Sequence, residues 1–306
     1  MIARNLRIVL AIELLLYAIG VQLLQERFHF SPGQVFALFV GLFLGARAVF
    51  AAIPFAFAWF ARTPRTPAQR IGMARTFGMV WDEFAATAVL FSVIQPFERW
   101  FMRGEHVRKA APGEHPLLLV HGYHCNRGSW WWLRHQLEAA GYCAVTMNLE
   151  PPFGDLEDHA QAIGRRVEKI CETTGADQVI VVAHSLGGLA ARAWLRRDGA
   201  RRAAGLVTLG TPHGGSLLAK LGPGRNARQM VPGNDWLEAL NRTPPPANLA
   251  VCVIGSPHDD YVMPQANLAL RGARMREIPG EGHLHMLFSN RVRDALLGCL
   301  PPPARA

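Results

Sequence analysis

Apolar residues are arranged differently in the two parts of the chain. Up to about residue 94 they form long, nearly unbroken runs; from about Pro116 they form short runs alternating with amphipathic stretches. The first long run, Leu6–Leu24, holds one arginine at its start, Arg7, and one internal acid, Glu13. At about 1.5 Å per residue in a helix it is long enough to cross a bilayer. The second, Val35–Phe60, is interrupted only by Arg47 and Pro54, and the third, Phe77–Ile94, carries Asp82 and Glu83 side by side. Two adjacent acids make the third run costly as a lone span. Its pattern fits a tilted span, a half-buried helix or a helix packed on the following domain. A cleaved signal peptide fits the first run poorly: the apolar stretch is too long, and Gln25-Glu26-Arg27-Phe28 follows instead of small residues. Glu13, Arg47, Asp82 and Glu83 are candidates for ion pairs within a helical bundle.

Arginines bracket these runs unevenly. Arg4 and Arg7 flank the start of the first, Arg62, Arg65, Arg70 and Arg75 follow the second, and the 25–34 connection is nearly neutral. This asymmetry puts the N-terminus and the 61–76 loop on the cytoplasmic side. Residues 1–110 are therefore expected to form an all-α hydrophobic membrane anchor, as in a bacterial inner-membrane protein. The side occupied by the remainder depends on whether the third run crosses.

Residues 111–300 read as a separate α/β domain. Leu117–His121 is a short continuous apolar run suited to a strand buried on both faces, and Tyr142–Asn148, Gln178–Ala183, Ala204–Leu209, Leu249–Ile254 and Met275–Ile278 read as further strands. Helices are expected at Ser129–Ala140 (Ser129 as N-cap, Gly141 as stop), Asp155–Thr174, Leu186–Arg197 ending near Gly199, and Leu284–Leu297, followed by a non-helical tail, Pro301–Ala306. Strand–helix alternation predicts a parallel sheet with helices on both faces, and ligands in such sheets bind beyond the carboxyl ends of the strands.

Composition narrows the function classes. Half of the 306 residues are hydrophobic and 18% are charged, which excludes global disorder. Five cysteines are too few for a small disulfide-stapled fold, their odd number leaves at least one free thiol, and without C-x-x-C spacing no structural zinc site is expected. The net charge of +9 comes without zinc-finger spacing, an RNP-like string or a basic block, which speaks against nucleic acid. In residues 1–111 the 12 basic and 6 acidic side chains flank apolar runs, which points to membrane contact. His121, His124, His213, His283 and His285 would have to converge to bind a metal, and no metal or other cofactor is expected.

Candidate chemistry sits at four strand ends. His184-Ser185-Leu186-Gly187-Gly188 follows a strand and opens a helix, the setting in which a serine hydroxyl is exposed on a sharp turn above a helix N-terminus. Ala183 stands where the usual G-x-S-x-G pattern has its first glycine. His121-Gly122-Tyr123 ends the first strand; its Tyr123 N–H, with that of Leu186, can hold a developing oxyanion, and His121 is read as positioning this loop. Asp259 and Asp260 lie on the loop leaving a late strand, and Gly282-His283-Leu284-His285 follows the last one. The order serine, acid, histidine suits nucleophile, orienting acid and general base.

These strings (VHGY, AHSLGG, LGTPHGGS, SPHDDYVMP and GHLHMLFS) resemble the α/β-hydrolase superfamily, closest to bacterial triacylglycerol lipases and esterases. The resemblance covers residues 116–299 and omits residues 1–110. It implies a compact hydrolase fold beginning at the family's third strand. It also implies Ser185 as nucleophile, His283 as base with His285 as a weaker rival, and Asp259 as acid with Asp260 as rival. Residues of about 214–247, rich in leucine, glycine and proline, are expected to form a short lid over an acyl pocket. Of Trp130, Trp131 and Trp132, at least one is expected to face outward. The sequence thus predicts a membrane-anchored serine ester hydrolase acting on lipid or other acyl esters. An acyltransferase using the same residues and a catalytically silent membrane scaffold are the alternatives.

Overall fold

The computed structural model describes residues 1–105, 107–198 and 200–303; the expected helix end at Gly199 and the last three residues of the tail lie outside them. Six parallel strands form, apolar except for the charged edge strand β6: β1 (Leu117–Val120), β2 (Ala144–Met147), β3 (Val179–His184), β4 (Ala203–Leu209), β5 (Ala250–Gly255) and β6 (Arg274–Glu277). Their order is β2-β1-β3-β4-β5-β6, with Leu119 of β1 in register with Thr146 of β2 and Val182 of β3. The chain winds first to one side of β1 and then to the other. The topological switch, where open α/β sheets bind ligands, therefore falls between the carboxyl ends of β1 and β3.

Alternate strand residues enter separate cores, as the two-residue repeat requires. Leu118, Val120, Val179, Val181 and Ala183 face one layer. Leu117, Leu119, Ile180 and Val182 face the other.

The long apolar runs form α1 (Ile2–Phe28) and α2 (Pro32–Ala61), joined by a short turn. Ser31 starts α2 through a capping box with Gln34, and Pro32 occupies a first-turn position where its missing N–H costs nothing. Arg47 of α2 is paired with Glu13 of α1 and donates to Ser92 Oγ at 3.1 Å. This matches the need of charges between apolar helices for partners. The third run becomes α3 (Met73–Val89), which continues through a wider π turn at Leu90–Ile94. By length and composition these three helices could each cross a membrane. One face of the third is occupied, however: Ala86, Leu90 and Ile94 enter the second sheet core beside Leu119, Trp130 and Leu133. Full burial of side chains the size of Leu90 and Ile94 contributes roughly 1.5–3 kcal/mol each. The opposite face, including Phe77, Val80, Trp81, Val89 and Val93, is exposed.

Further helices are α4 (Trp131–Ala139), α5 (Leu156–Thr174), α6 (Leu186–Asp198) and α7 (Asn290–Leu297), with two short ones at Arg225–Gln229 and Asp235–Arg242. Three local expectations change. Ser129 does not cap α4: a 3-10 turn, Arg127–Trp130, precedes that helix, Asn126 caps the turn, and Ser129 is buried within it. The last helix begins at Asn290 with Ser289 as its cap, because a separate 3-10 turn, His285–Leu287, intervenes. No tryptophan of the 130–132 triplet is fully exposed: Trp130 is buried, and Trp131 and Trp132 are half-buried against the second core.

Candidate active site

Ser185 sits between β3 and α6 with φ of 53°, the left-handed region that non-glycine residues rarely adopt. Its backbone is held on both sides. The Ser185 N–H donates to Leu209 O at 2.9 Å, and its carbonyl accepts from Thr211 Oγ1 at 2.9 Å and from the Gly188 N–H at 3.0 Å. Such over-determination is what keeps a strained residue in place. The small neighbours have steric reasons. A Cβ at Gly187 would lie 2.6 Å from the carbonyl oxygens of Val120 and His121, and one at Gly188 would lie 2.1 Å from Thr211 Oγ1. Gly122 passes so near that its Cβ would come within 2.8 Å of Ser185 Cβ.

His283 follows β6, and its Nδ1 lies 2.9 Å and 3.1 Å from the two carboxylate oxygens of Asp259. Asp259 is buried, and its Oδ1 also accepts the N–H groups of Tyr261 (2.9 Å) and Val262 (2.8 Å). The Tyr261 ring stacks on the imidazole at 4.9 Å. With Nδ1 committed to Asp259, Nε2 is the nitrogen left to exchange a proton. Burial disfavours the imidazolium, but the charge and hydrogen bond of Asp259, helped by the charge of Glu83, outweigh it and raise the His283 pKa.

The two rivals are engaged elsewhere. Asp260 accepts the backbone N–H of His283 at 2.9 Å. Its burial, reinforced by the Asp259 charge, pushes its pKa well above the usual carboxylate range. Of the two adjacent carboxyls, Asp260 is thus the one held as a neutral acid. His285 pairs through Nδ1 with Glu281 at 2.9 Å.

His121 accepts the Leu149 N–H on Nε2 at 2.9 Å, so its Nδ1 carries the proton and donates to Gly122 O at 2.9 Å. Burial lowers its pKa to about 4, which keeps it neutral. These bonds fix the turn that carries Tyr123. The Tyr123 hydroxyl donates to Pro223 O at 2.6 Å, tying the same turn to the 214–247 segment. The Leu186 N–H opens α6 and has no acceptor within its own helix. Leu186 directly follows Ser185, and Tyr123 lines the same cavity as Ser185.

An apolar cavity of about 280 Å³ is lined by Ser185, His283 and Tyr123. The expected lid segment contributes Leu218, Leu221 and Met230 to it. Phe50, Ile53 and Pro54 of α2 also line it, a wall that the periodicity of an apparent membrane helix gave no reason to expect. Glu83 of α3 is a second unanticipated neighbour. Its carboxylate accepts the N–H groups of Leu284 (2.9 Å) and His285 (2.8 Å), immediately after His283. Arg75 holds the same loop through Gly280 O and Glu281, and Arg65 donates to Pro257 O on the acid-bearing loop. The available signal was the cost of an acid in an apolar run, which demands a partner without naming it. Among the described residues no three histidine, cysteine or acidic side chains converge as a metal site.

Residues 115–244 match the family model of the alpha/beta hydrolase fold. The sheet-bearing part of this chain has that fold, and the N-terminal helices lie outside the match. Solved structures agree at the level of fold. Lipase BlEst2 of Bacillus licheniformis, in its mature form, aligns at 18% identity and a TM-score of 0.55, covering 62% of this chain and 93% of the lipase. Lipase B of Aspergillus fumigatus aligns at 18% identity and a TM-score of 0.55, covering 61% of this chain and 52% of that one.

Proposed function

We propose that the protein is a membrane-anchored serine hydrolase that cleaves carboxylic esters, with lipid or other acyl esters as substrates. The observation that carries the reading is the convergence of a strained serine and an aspartate-paired histidine on one apolar cavity. Ser185 Oγ attacks the acyl carbonyl while His283 Nε2 takes its proton. The Tyr123 and Leu186 N–H groups hold the oxyanion, and Asp259 stabilises the imidazolium. The tetrahedral adduct collapses as His283 returns the proton to the departing alcohol. A water, deprotonated by the same nitrogen, then releases the acid from the acyl-serine. The lipase relatives support the ester class as an analogy of fold. Anchoring is supported by the exposed apolar faces of α1 and α2 and by the arginines at their bases. Because both ends of the helical pair return to the hydrolase body, the N-terminus, the basic 61–76 loop and the hydrolase share one side of the membrane.

The test uses the full chain in detergent, with short p-nitrophenyl esters and a fluorophosphonate probe. Labelling at Ser185 and loss of turnover in Ser185→Ala are expected. A Ser185→Ala protein that keeps the wild-type rate would refute the reading, and a Ser185 that never labels would favour a silent scaffold.

A further inference from the structure

The cavity that holds Ser185 is only partly built from the hydrolase fold. Phe50, Ile53 and Pro54 belong to α2, outside the residues that match the hydrolase family. Phe50 and Ile53 line the cavity and yet are 49% and 45% exposed, and Leu221 across from them is 63% exposed. Side chains that both line a cavity and face outward stand at its mouth. The rim is therefore apolar on both sides.

The rim does not end at the cavity. Phe50, Ile53, Phe57 and Phe60 are spaced i, i+3, i+7 and i+10, a single stripe along one helix face. All four are exposed, Phe60 most of all. The stripe runs from the mouth along the outer surface of α2. A polar, freely soluble ester gains nothing from such a rim. An acyl chain already dissolved in a bilayer meets an unbroken apolar path to the nucleophile.

Building on the hydrolase reading above, we propose that α2 is the acyl-chain wall of the active site, and that the substrate is a bilayer-resident acyl ester entering sideways over Phe50 and Ile53. The membrane helix then contributes to specificity as well as attachment. Each methylene bedded against the wall should change the rate constant ratio by about fourfold.

The experiment uses the full chain reconstituted in phosphatidylcholine vesicles and a long-chain alkyl fluorophosphonate with a diazirine at its methyl end. After attachment at Ser185, irradiation should place crosslinks on residues 48–61. Attachment at Ser185 with crosslinks confined to residues 216–230 would overturn the proposal while leaving the hydrolase reading intact. Failure to attach at Ser185 would remove both. In parallel, Ile53→Trp, which obstructs the entry, should lower the ratio of long-chain to short-chain ester hydrolysis at least fourfold, and Phe50→Ala, which removes part of the wall, should lower it as well. Unchanged ratios in both variants would also overturn the proposal.

Discussion

Asp259→Asn separates orientation from charge at the proposed triad. An asparagine can keep its Oδ1 on the Tyr261 and Val262 N–H groups, which now lie 2.9 Å and 2.8 Å from the carboxylate. The loop should therefore survive, at a cost of about 1 kcal/mol and a few degrees in Tm. Its amide NH₂ then faces His283 Nδ1, where a carboxylate oxygen stands at 2.9 Å. A donor facing Nδ1 forces the neutral ring to carry its proton on Nε2, the nitrogen that must accept the serine proton. Trapping that tautomer should lower kcat about 10⁴-fold, equivalent to roughly 5.5 kcal/mol in the barrier. The pH profile should move too. A general base works neutral, so activity falls as pH drops through the His283 pKa, which Asp259 raises against the effect of burial. Without that charge, burial prevails and the acid limb of kcat/KM should shift to lower pH while its plateau collapses. Asp260→Asn is the control. Its carboxyl is held in the neutral form, so an amide of the same shape should stay within about threefold of wild type. Steady-state kinetics across pH, with thermal melts for both variants, decide the matter. The reasoning fails if Asp259→Asn keeps more than a tenth of wild-type kcat, or if Asp260→Asn loses more than Asp259→Asn.

Other sites give further predictions. Glu83→Ala leaves the buried Leu284 N–H and the part-buried His285 N–H without their acceptor and should cost about 2–4 kcal/mol in urea unfolding, with a larger loss of kcat than Glu83→Gln, which retains one acceptor oxygen. Gly188→Ala drives a methyl into Thr211, whose hydroxyl holds Ser185 O; about 1–3 kcal/mol of stability and most fluorophosphonate labelling should be lost. Arg47→Met strands Glu13 between apolar helices and should reduce recovery of folded protein from membranes, whereas the double change with Glu13→Met should restore it; equal recovery of the single and double variants would show that the pair is unimportant.

The sheet was legible because its signal is local. Strands such as Val179–Val182 carry their burial in consecutive apolar residues, and Gly187 and Gly188 mark a turn whose crowding only glycine tolerates. Ser185, Asp259 and His283 could be singled out because each lies at a strand end, where the α/β topology gathers distant segments. What escaped detection depends on contacts across long separations. Glu83 reaches residues about two hundred positions away. The α2 wall has the same hydropathy whether it faces lipid or a cavity. Trp130 lies inside and Trp131 and Trp132 are only half-exposed because Ala86, Leu90 and Ile94 supply a second apolar layer to pack against. The division between Asp259 and Asp260 comes from burial and backbone donors, which no spacing encodes.

The burial of Leu90 and Ile94 against β1 and β3 carries a consequence for biosynthesis. Those side chains leave the ribosome well before the residues that cover them: β3 ends at His184, ninety positions after Ile94. At ordinary translation speeds the gap is roughly 5–20 s. During that interval one apolar face of the third helix is uncovered beside the nascent α1–α2 hairpin, so another apolar surface or a chaperone must shelter it until the sheet arrives to claim it.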